Sequence, residues 1–232
     1  MNEPVHSASP VRKGRPAAKS ATGAPARTHD PARTTAEILE VATTEFADKG
    51  LSGARIDAIA ATTRTSKRMI YYYFGSKEGL YVAVLEEAYR RMRRIEAQLH
   101  LEDLAPEEAL RRLVGFTFDH HQGNQSYIRL VMTENMERGT YLAQSALIQT
   151  LNVPAIQAIQ ALYDRGLAQG VFRDGLDPVD IHASISALTF FNVSNQHTFG
   201  LIFKGQGNLH APAALAARRA NIVEMMVRFL RK

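Results

Sequence analysis

The sequence predicts an all-α fold built from two unequal helical units. Helix caps followed by apolar residues at helical spacing recur along most of the chain, and alternating strand patterns hardly appear. The 232 residues leave room for a small unit followed by a larger one. Apolar residues make up 45% and charged residues 22%, as in ordinary globular proteins, so we expect a folded chain.

The composition excludes several classes of chemistry. The sequence contains no cysteine, which rules out disulfides, thiolate catalysis and cysteine-ligated metals. The basic N-terminus is not followed by an apolar run, as a signal peptide would require. Polar residues interrupt the most apolar later stretch, 185–203. We therefore expect a cytoplasmic protein with no membrane segment and no cofactor.

Residues 1–32 are predicted to form a disordered basic tail. Residues 1–33 contain six basic and two acidic side chains, and Pro, Ala, Ser, Thr and Gly dominate the segment. Such a composition buries too little apolar surface to fold alone. Two interpretations stay open: an arm that adds phosphate attraction, or a solvated leader with no partner.

The first two helices are predicted from a capping box and a glycine stop. Thr34 and Glu37 have capping-box spacing, so we expect the first helix to run from there to about Lys49. Gly50 supplies the left-handed residue that ends a helix. A short second helix then carries three inward residues, Ile56, Ile59 and Ala60.

Serine caps predict the third and fourth helices. Ser66 caps a third helix that continues through Phe74, and Ser76 caps a long fourth helix able to bridge two domains. The fourth helix has one apolar stripe, formed by Leu80, Val84, Ala88, Met92, Ile95 and Leu99.

Beyond Leu104 the chain is predicted to form the larger helical unit. Its breaks fall at Pro106, Gly123, Gly139, Gly170 and the Gly205–Asn208 loop. Pro154 should kink or split a helix over residues 141–169. Asp177 followed by Pro178 opens a further helix. The last helix should span Pro212–Leu230, with Ile222, Met225, Met226 and Phe229 on one side.

The third helix has two chemically different faces. At 100° per residue, Ile70 and Phe74 point inward, whereas Arg68, Tyr71 and Tyr72 point outward. Residues 64–77 contain four basic side chains and no acidic one, so we expect an uncompensated positive field. A narrow helix with such a face fits the DNA major groove.

Each residue type on this face suggests a separate role. Arg68 offers a fork of donors to guanine, and Lys67 is placed to meet phosphate. Tyrosine hydroxyls can bond phosphate while the rings contact sugars or thymine methyls. Ser66 at one helix start, and Ser76 with Lys77 at the next, can hold phosphates as well.

Residues 33–80, with the stretch SKRMIYYYFGSKEGLY, resemble the DNA-binding domain of TetR-type transcriptional regulators. The resemblance implies a helix-turn-helix whose DNA contacts are Arg55, Thr65, Ser66, Lys67, Arg68, Tyr71, Tyr72, Tyr73 and Lys77. Two positions depart from the family. The turn reads Thr63-Arg64-Thr65 instead of Ala-Gly-Val, and Ala54 stands where a threonine commonly caps the second helix.

The resemblance also implies a homodimer paired through residues 178–199 and 212–230, and therefore a near-palindromic operator. A monomer with an ordinary core is the alternative. Residues 81–232 would then form a ligand-binding and dimerisation domain. This part is similar to regulators of nitrogen-heterocycle catabolism, such as those that respond to nicotinate or pyrimidines, on diffuse patterns such as RLVMTENMERG.

Side chains that could contact a small-molecule effector combine polar groups with apolar and aromatic ones in the central helices. The candidates are Phe116, His120, Met132, Glu134, Asn135, Phe191, Asn192 and Gln196. Each could instead be an ordinary core residue. Glu134 could neutralise a cationic ligand, or accept backbone and tyrosine hydrogen bonds.

Three other interpretations compete with a regulator. The tyrosines could be core and boundary residues beside a solvated basic face. The chain could be a nonspecific architectural DNA binder that relies on its tail. It could be a helical enzyme, although GxxxxGK, GxGxxG, HExxH and GxSxG motifs are absent. His120 and His121 should face different directions, which argues against a shared metal.

The function that the sequence predicts is a ligand-released repressor. It would bind double-stranded DNA as a homodimer and release it when a small-molecule effector binds. The fourth helix would link the effector site to the DNA.

Overall fold

The computed structural model describes Met1 and residues 30–204 and 210–232. Residues 2–29 of the predicted tail and the Gly205–Asn208 loop lie outside the described residues. The described residues form ten α-helices, α1 Pro31–Gly53, α2 Ile56–Thr62, α3 Lys67–Phe74, α4 Lys77–Glu96, α5 Pro106–Gly123, α6 Gln125–Met136, α7 Ala146–Ala168, α8 Pro178–Ser194, α9 Gln196–Ile202 and α10 Pro212–Leu230.

The all-α prediction is confirmed. Short 3₁₀ turns occupy Ala97–Leu99, Leu101–Asp103 and Leu142–Gln144. In the described ranges, extended pairing amounts to an isolated bridge between Phe172 and Arg231. No described helix is both long and apolar enough to cross a bilayer.

The start of α1 corrects the predicted capping box. Asp30 is the cap, and its carboxylate accepts hydrogen bonds from the backbone amides of Ala32 and Arg33. Pro31 fits the first helical position, where no amide partner is needed. The Thr34 hydroxyl instead donates to the Asp30 carbonyl, 3.0 Å away, inside the first turn. The helix therefore begins two residues before the predicted domain boundary.

The predicted stops and caps around α2 to α4 are confirmed. Gly50 has a φ of 66°, which interrupts α1 where the sequence placed its end. Ser66 accepts a hydrogen bond from the Met69 amide at 3.2 Å, and Ser76 accepts one from the Gly79 amide at 2.9 Å. The helix α4 is shorter than expected because Leu99 already lies in a 3₁₀ turn.

The N-terminal core is closed by residues from the larger unit. Phe46 and Tyr81 are fully buried and meet edge to face, with ring centres 5.1 Å apart. Leu130 of α6 and Ile148 of α7 belong to the same buried cluster. Arg129 also pairs with Asp48 at 2.6 Å. The N-terminal helices are thus fixed to the larger unit by apolar and ionic contacts.

The larger unit packs α5, α7, α8 and α10 around a second apolar core. Pro154 lies inside α7 without ending it, and α7 begins at Ala146 rather than near residue 141. The Asp177 side chain accepts a hydrogen bond from the Val179 amide at 2.6 Å, as expected of a cap.

Two predictions for the last helices need correction. The predicted helix 178–199 is broken at Asn195, where α8 ends and the short α9 begins. The bounds of α10 agree with the prediction, but its apolar residues are divided: Ile222 and Met226 are buried, whereas Met225 and Phe229 are exposed.

Candidate functional site

The outward face of α3 is confirmed. Ile70 is fully buried, whereas Tyr71 is 43% and Tyr72 77% exposed. Arg68 is exposed as well. Tyr71 and Tyr72 are therefore not core residues, and they stand beside a guanidinium on a helix whose opposite side is fixed.

Tyr73 has a supporting position behind this face. It is half-buried, and its ring lies 5.3 Å from that of Tyr72 and 6.3 Å from that of Phe74, both edge to face. Such contacts restrict an aromatic side chain beyond simple burial. Tyr73 therefore holds the exposed ring of Tyr72 in place.

The positive charge of α3 is partly compensated, which corrects the sequence expectation. Lys67 forms an ion pair with Asp57 of α2, although no acidic residue lies between positions 64 and 77. Both side chains are more than half exposed, so the pair contributes little stability and can exchange partners. Helical spacing does not indicate this partner, because Asp57 lies on α2, ten residues before Lys67.

The turn between α2 and α3 keeps a left-handed residue without a glycine. Arg64 has a φ of 52° and is exposed. The Thr65 amide donates to the Ala60 carbonyl at 3.1 Å, and the Thr63 hydroxyl donates to the Ile59 carbonyl at 2.8 Å. These bonds hold Arg64 in a conformation that L-residues avoid.

The start of α2 uses a carboxylate from α1 in place of a side-chain cap. Arg55 is the cap residue, and its backbone amide donates to Glu45 at 3.0 Å. Glu45 also binds Lys49, and this hydrogen bond, followed by the Arg55 amide, lowers the pKa of the carboxyl. Glu45 thus supplies the partner that Ala54 cannot, and no local pattern in the sequence indicates this contact.

Lys77 connects α4 to the end of α1. It is the first residue of α4, it is half-buried, and its Nζ donates to the Ser52 carbonyl at 3.3 Å. The ammonium group therefore lies at the edge of the helix-turn-helix, one turn beyond the tyrosines.

A cavity of about 280 Å³ lies among α4, α5, α6, α7 and α8. Its walls combine aromatic rings, aliphatic side chains, imidazoles and one ion pair. They consist of Tyr89, Met92, Arg93, Glu96, Leu113, Thr117, His121, Tyr127, Asn152, Ile159, His182, Ile185 and Ser186. Polar and apolar side chains thus share the walls, and polar groups that converge beside apolar surface occur in small-molecule sites.

The eight predicted effector residues all lie in the described ranges, and the walls of this cavity include none of them. Asn135 is exposed and donates to the Val131 carbonyl of its own helix. Asn192 likewise donates to the Leu188 carbonyl. Polar residues that bond their own helix resemble ligand contacts in a sequence, so helical spacing alone does not distinguish the two.

The aromatic and long side chains of the set lie elsewhere too. Phe191 is exposed and packs against Phe199, Gln196 bonds Gln125, and Met132 is half-buried in α6. Half-buried Phe116 has its ring 5.8 Å from that of His120.

Glu134 has a structural role. It is buried, and its Oε2 accepts hydrogen bonds from the Tyr141 and Leu142 amides at 3.3 and 2.9 Å. Burial, with the nearby Glu134 carboxylate, raises the pKa of Tyr81. The backbone-bonding alternative given for Glu134 is the one that the structure shows.

His120 and His121 face different spaces, as expected. His121 lines the 280 Å³ cavity, and His120 lines a more open groove of about 850 Å³ between α1, α4 and the α5–α6 junction. Tyr127 borders both spaces. Burial lowers the pKa of each histidine to about 4, so both rings are neutral near pH 7.

One group of metal-type side chains lies outside these spaces. His100, Glu102 and Asp103 bring ligand atoms within 4.8 Å of one another on the surface. All three are exposed neighbours in one short turn, an arrangement that also occurs without a metal. It supports no metal site.

Two family descriptions match the chain. Residues 38–84 match the family of bacterial regulatory proteins called tetR. Residues 106–226, more than half of the chain, match the tetracyclin repressor-like C-terminal domain. The two matches fall on the helix-turn-helix and on the unit that contains the cavity.

Individual relatives agree with these matches. The HTH-type transcriptional repressor NicS of Pseudomonas putida is 36% identical over 71% of this chain and 78% of its own. The HTH-type transcriptional repressor SCO4008 of Streptomyces coelicolor is 34% identical over 64% and 72%. The solved structure of SCO4942 from Streptomyces coelicolor, 28% identical, superposes with a TM-score of 0.62 over 85% of this chain and 98% of that one.

These relatives are transcriptional regulators rather than enzymes, and the helix-turn-helix of this chain lies within the residues that match the tetR description. The chain belongs to the TetR family of transcriptional regulators.

Proposed function

We propose that this regulator is a ligand-released repressor that binds a palindromic operator as a homodimer. The observation that carries the proposal is the face of α3, where Arg68, Tyr71 and Tyr72 are exposed on a helix held from behind by Ile70. A helix of this width enters the major groove, where base edges can be distinguished.

The residues of this face divide into reading and positioning contacts. Arg68 can donate two hydrogen bonds to a guanine, a contact that discriminates between bases. Tyr71 and Tyr72 place hydroxyls toward phosphate and rings toward sugars or thymine methyls. Lys67 can leave Asp57 for a phosphate, because their ion pair is exposed.

Further contacts would fix the register of the helix on DNA. Ser66 and Lys77 stand at the starts of α3 and α4, where unpaired amides attract phosphate. The family resemblance adds Arg55, Thr65 and Tyr73. Arg55 is exposed at the start of α2, whereas Thr65 and Tyr73 are half-buried and would act mainly by positioning.

A second copy of the chain would cover the apolar surface of α8 and α10. Both helices bury one side in the core and expose apolar residues on the other: Val179 and Phe191 of α8, and Met225 and Phe229 of α10. Closed two-fold symmetry presents two α3 helices to two half-sites, which makes the operator palindromic.

The effector would bind in the 280 Å³ cavity, and α4 would transmit its presence. Arg93 and Glu96, near the end of α4, line the cavity, whereas Lys77 at the start of α4 adjoins the DNA face. If bound and free states differ in the position of α4, effector and operator oppose each other's binding by the same factor.

Footprinting of the region upstream of the chain's own gene tests the proposal. A protected palindrome is expected, and it should be lost when effector is added. Arg68→Ala should relax base preference, and Lys77→Ala should weaken all sequences alike and lower the salt slope by about one unit. Arg112→Ala on α5 is the matched control and should behave as wild type. Uniform protection of every sequence would instead indicate an architectural binder.

Asp57→Asn should change DNA affinity in the opposite direction to Lys77→Ala. Freeing Lys67 should strengthen binding to operator and nonoperator DNA alike, by a few-fold at low salt, because one more cation is available to phosphate. A weaker complex would mean that the ion pair is needed to position α3. Fluorescence anisotropy at several salt concentrations gives this comparison.

The dimer has its own test. Phe191→Glu places a charge in the proposed interface and should shift the protein to a monomer in analytical ultracentrifugation. Val153→Glu, on an equally exposed apolar residue of α7, is the control and should leave the mass unchanged. If both variants keep the wild-type mass, α8 is not part of the interface.

A further inference from the structure

The effector cavity contains one buried ion pair. Arg93 and Glu96 lie one turn apart on α4, with side chains 12% and 13% exposed, and Nη1 of Arg93 donates to Glu96. Enclosing two charges is expensive unless they are paired and fully hydrogen-bonded. The pair therefore needs further partners, and the cavity is the space from which they can come.

The remaining titratable groups of the cavity are uncharged near neutral pH. Burial lowers the pKa of His121 and His182 and raises the pKa of Tyr89 and Tyr127. Among the lining residues, all of which are described, Arg93 and Glu96 thus supply the charge. A ligand meets one cation and one anion in an otherwise neutral enclosure.

The two charged groups are not equally satisfied. Nε of Arg93 is buried and has no hydrogen-bond partner, whereas its Nη1 is occupied by Glu96. Nε shares one edge of the guanidinium with Nη2, and two N–H groups on one edge have the spacing that a carboxylate accepts in a bidentate pair. A buried N–H without an acceptor costs free energy that such a ligand would recover.

Glu96 is a poor site for a cation by comparison. Burial raises the pKa of its carboxyl, and Arg93 already neutralises its charge. An incoming cation would have to compete with Arg93 at close range. An incoming anion can accept a hydrogen bond from the unpartnered Nε of Arg93, so the site favours an acceptor over a donor.

The volume limits the size of the ligand. A cavity of about 280 Å³ holds roughly ten non-hydrogen atoms at the density of a liquid. The rings of Tyr89 and Tyr127 meet edge to face, with centres 5.6 Å apart, and Ile159 and Ile185 add aliphatic surface. The enclosure therefore fits a small body with one acidic group.

We propose that the effector is a small organic anion, with one carboxylate bound to the Nε side of Arg93 and a compact apolar body against Tyr89, Tyr127 and Ile185. This inference rests on the proposed function and adds the chemical class of its ligand. The anion and Glu96 then bind different edges of the same guanidinium. Since Arg93 and Glu96 both lie in the last turns of α4, the added negative charge acts directly on the helix that begins at Lys77.

Calorimetric titration of the full chain with matched acids and amides tests the proposal. The probes are benzoate with benzamide and 2-furoate with 2-furamide, which differ in charge but little in shape. The acids should bind at least tenfold more tightly than their amides. Arg93→Met should abolish this preference, and Arg91→Met, on the same helix but outside the cavity, should keep it.

Glu96→Gln supplies a second test, in which the guanidinium of Arg93 stays in place and only its carboxylate neighbour changes. It should strengthen binding of the acids several-fold, because a nearby negative charge that repels an anion is removed, and leave the amides unchanged. This variant decides the question if Arg93→Met fails to fold. Unchanged or weaker acid binding would overturn the proposal, as would equal binding of acids and amides to the wild type.

The test of the ligand class can fail while the proposed function holds, and the two results can be told apart. Operator binding is measured first, without any ligand, and stands or falls on the footprint. If a neutral or cationic metabolite releases the operator while the acids do not bind, the chain is a ligand-released repressor and the anionic class is wrong.

Discussion

The two apolar cores of the chain are similar in side chains but different in what they enclose. The N-terminal core is filled, with Phe46, Ile59, Ile70 and Leu80 fully buried. The larger core borders a cavity that contains an ion pair and neutral histidines. The difference agrees with the proposed roles, because a unit that binds DNA through its outer surface can have a closely packed interior, whereas binding a small molecule inside a unit requires interior space.

The largest expected effect compares the same substitution in both cores. Leu80→Ala should lower the free energy of unfolding by about 3–5 kcal/mol, because Leu80 is packed on all sides. Leu113→Ala should cost only about 2–3 kcal/mol, since Leu113 already faces the cavity on one side. Urea denaturation of both variants gives the two values. Equal losses would show that the cores are equally well packed.

A smaller effect concerns the histidines of the larger core. The pKa of His121 is about 4 in the folded chain and 6.5 ordinarily, so between these values the unfolded chain binds a proton that the folded chain does not. Stability should therefore be complete above pH 6.5 and fall as the pH decreases toward 4. His121 should account for about 1–3 kcal/mol of this loss.

The variant His121→Gln isolates that contribution. Its free energy of unfolding should fall less steeply between pH 6.5 and 4 than that of the wild type. His197→Gln, at an exposed position, is the control and should keep the wild-type slope. If His121→Gln also kept it, the acid sensitivity would come from other groups.

Local signals explain why the DNA-proximal half could be predicted. Caps such as Ser66 and Ser76 act within three residues of themselves, and the two faces of α3 follow from helical spacing alone. The family resemblance then added the contact residues. The two contacts that the sequence analysis missed in this half are non-local. Asp57 pairs with Lys67, and Glu45 accepts from the Arg55 amide, and both contacts join different helices.

The cavity could not be predicted for a different reason. Its walls come from five helices, and no spacing in a sequence encodes where their side chains leave space. Arg93 follows Arg90 and Arg91 on a charged helix and resembles a surface residue in the sequence. Its burial depends on how α5, α7 and α8 close around α4.

The smallest expected effect compares two left-handed turns, one in each half. Arg64 and Arg138 have φ angles of 52° and 58°. Replacing either arginine by glycine removes the steric cost of the left-handed conformation, and the greater freedom of glycine in the unfolded chain offsets part of this gain. The free energy of unfolding should therefore rise by about 0.5–1 kcal/mol. Similar gains in thermal or urea unfolding would show that both halves tolerate such strain alike. A loss for Arg64→Gly alone would mean that the arginine side chain stabilises the turn before α3.

Leu130 and Ile148 complete the core beneath the DNA-reading helices although they belong to α6 and α7. Helices α1–α4 therefore depend on α6 and α7 for part of their core. Recombination between related genes at a point after α4 would leave this core incomplete. Recombination that preserves folding has to transfer Leu130 and Ile148 together with α1–α4. New combinations of the proposed operator and effector specificities should thus arise by point substitution on α3 and around the proposed site at Arg93 more readily than by exchange of whole domains.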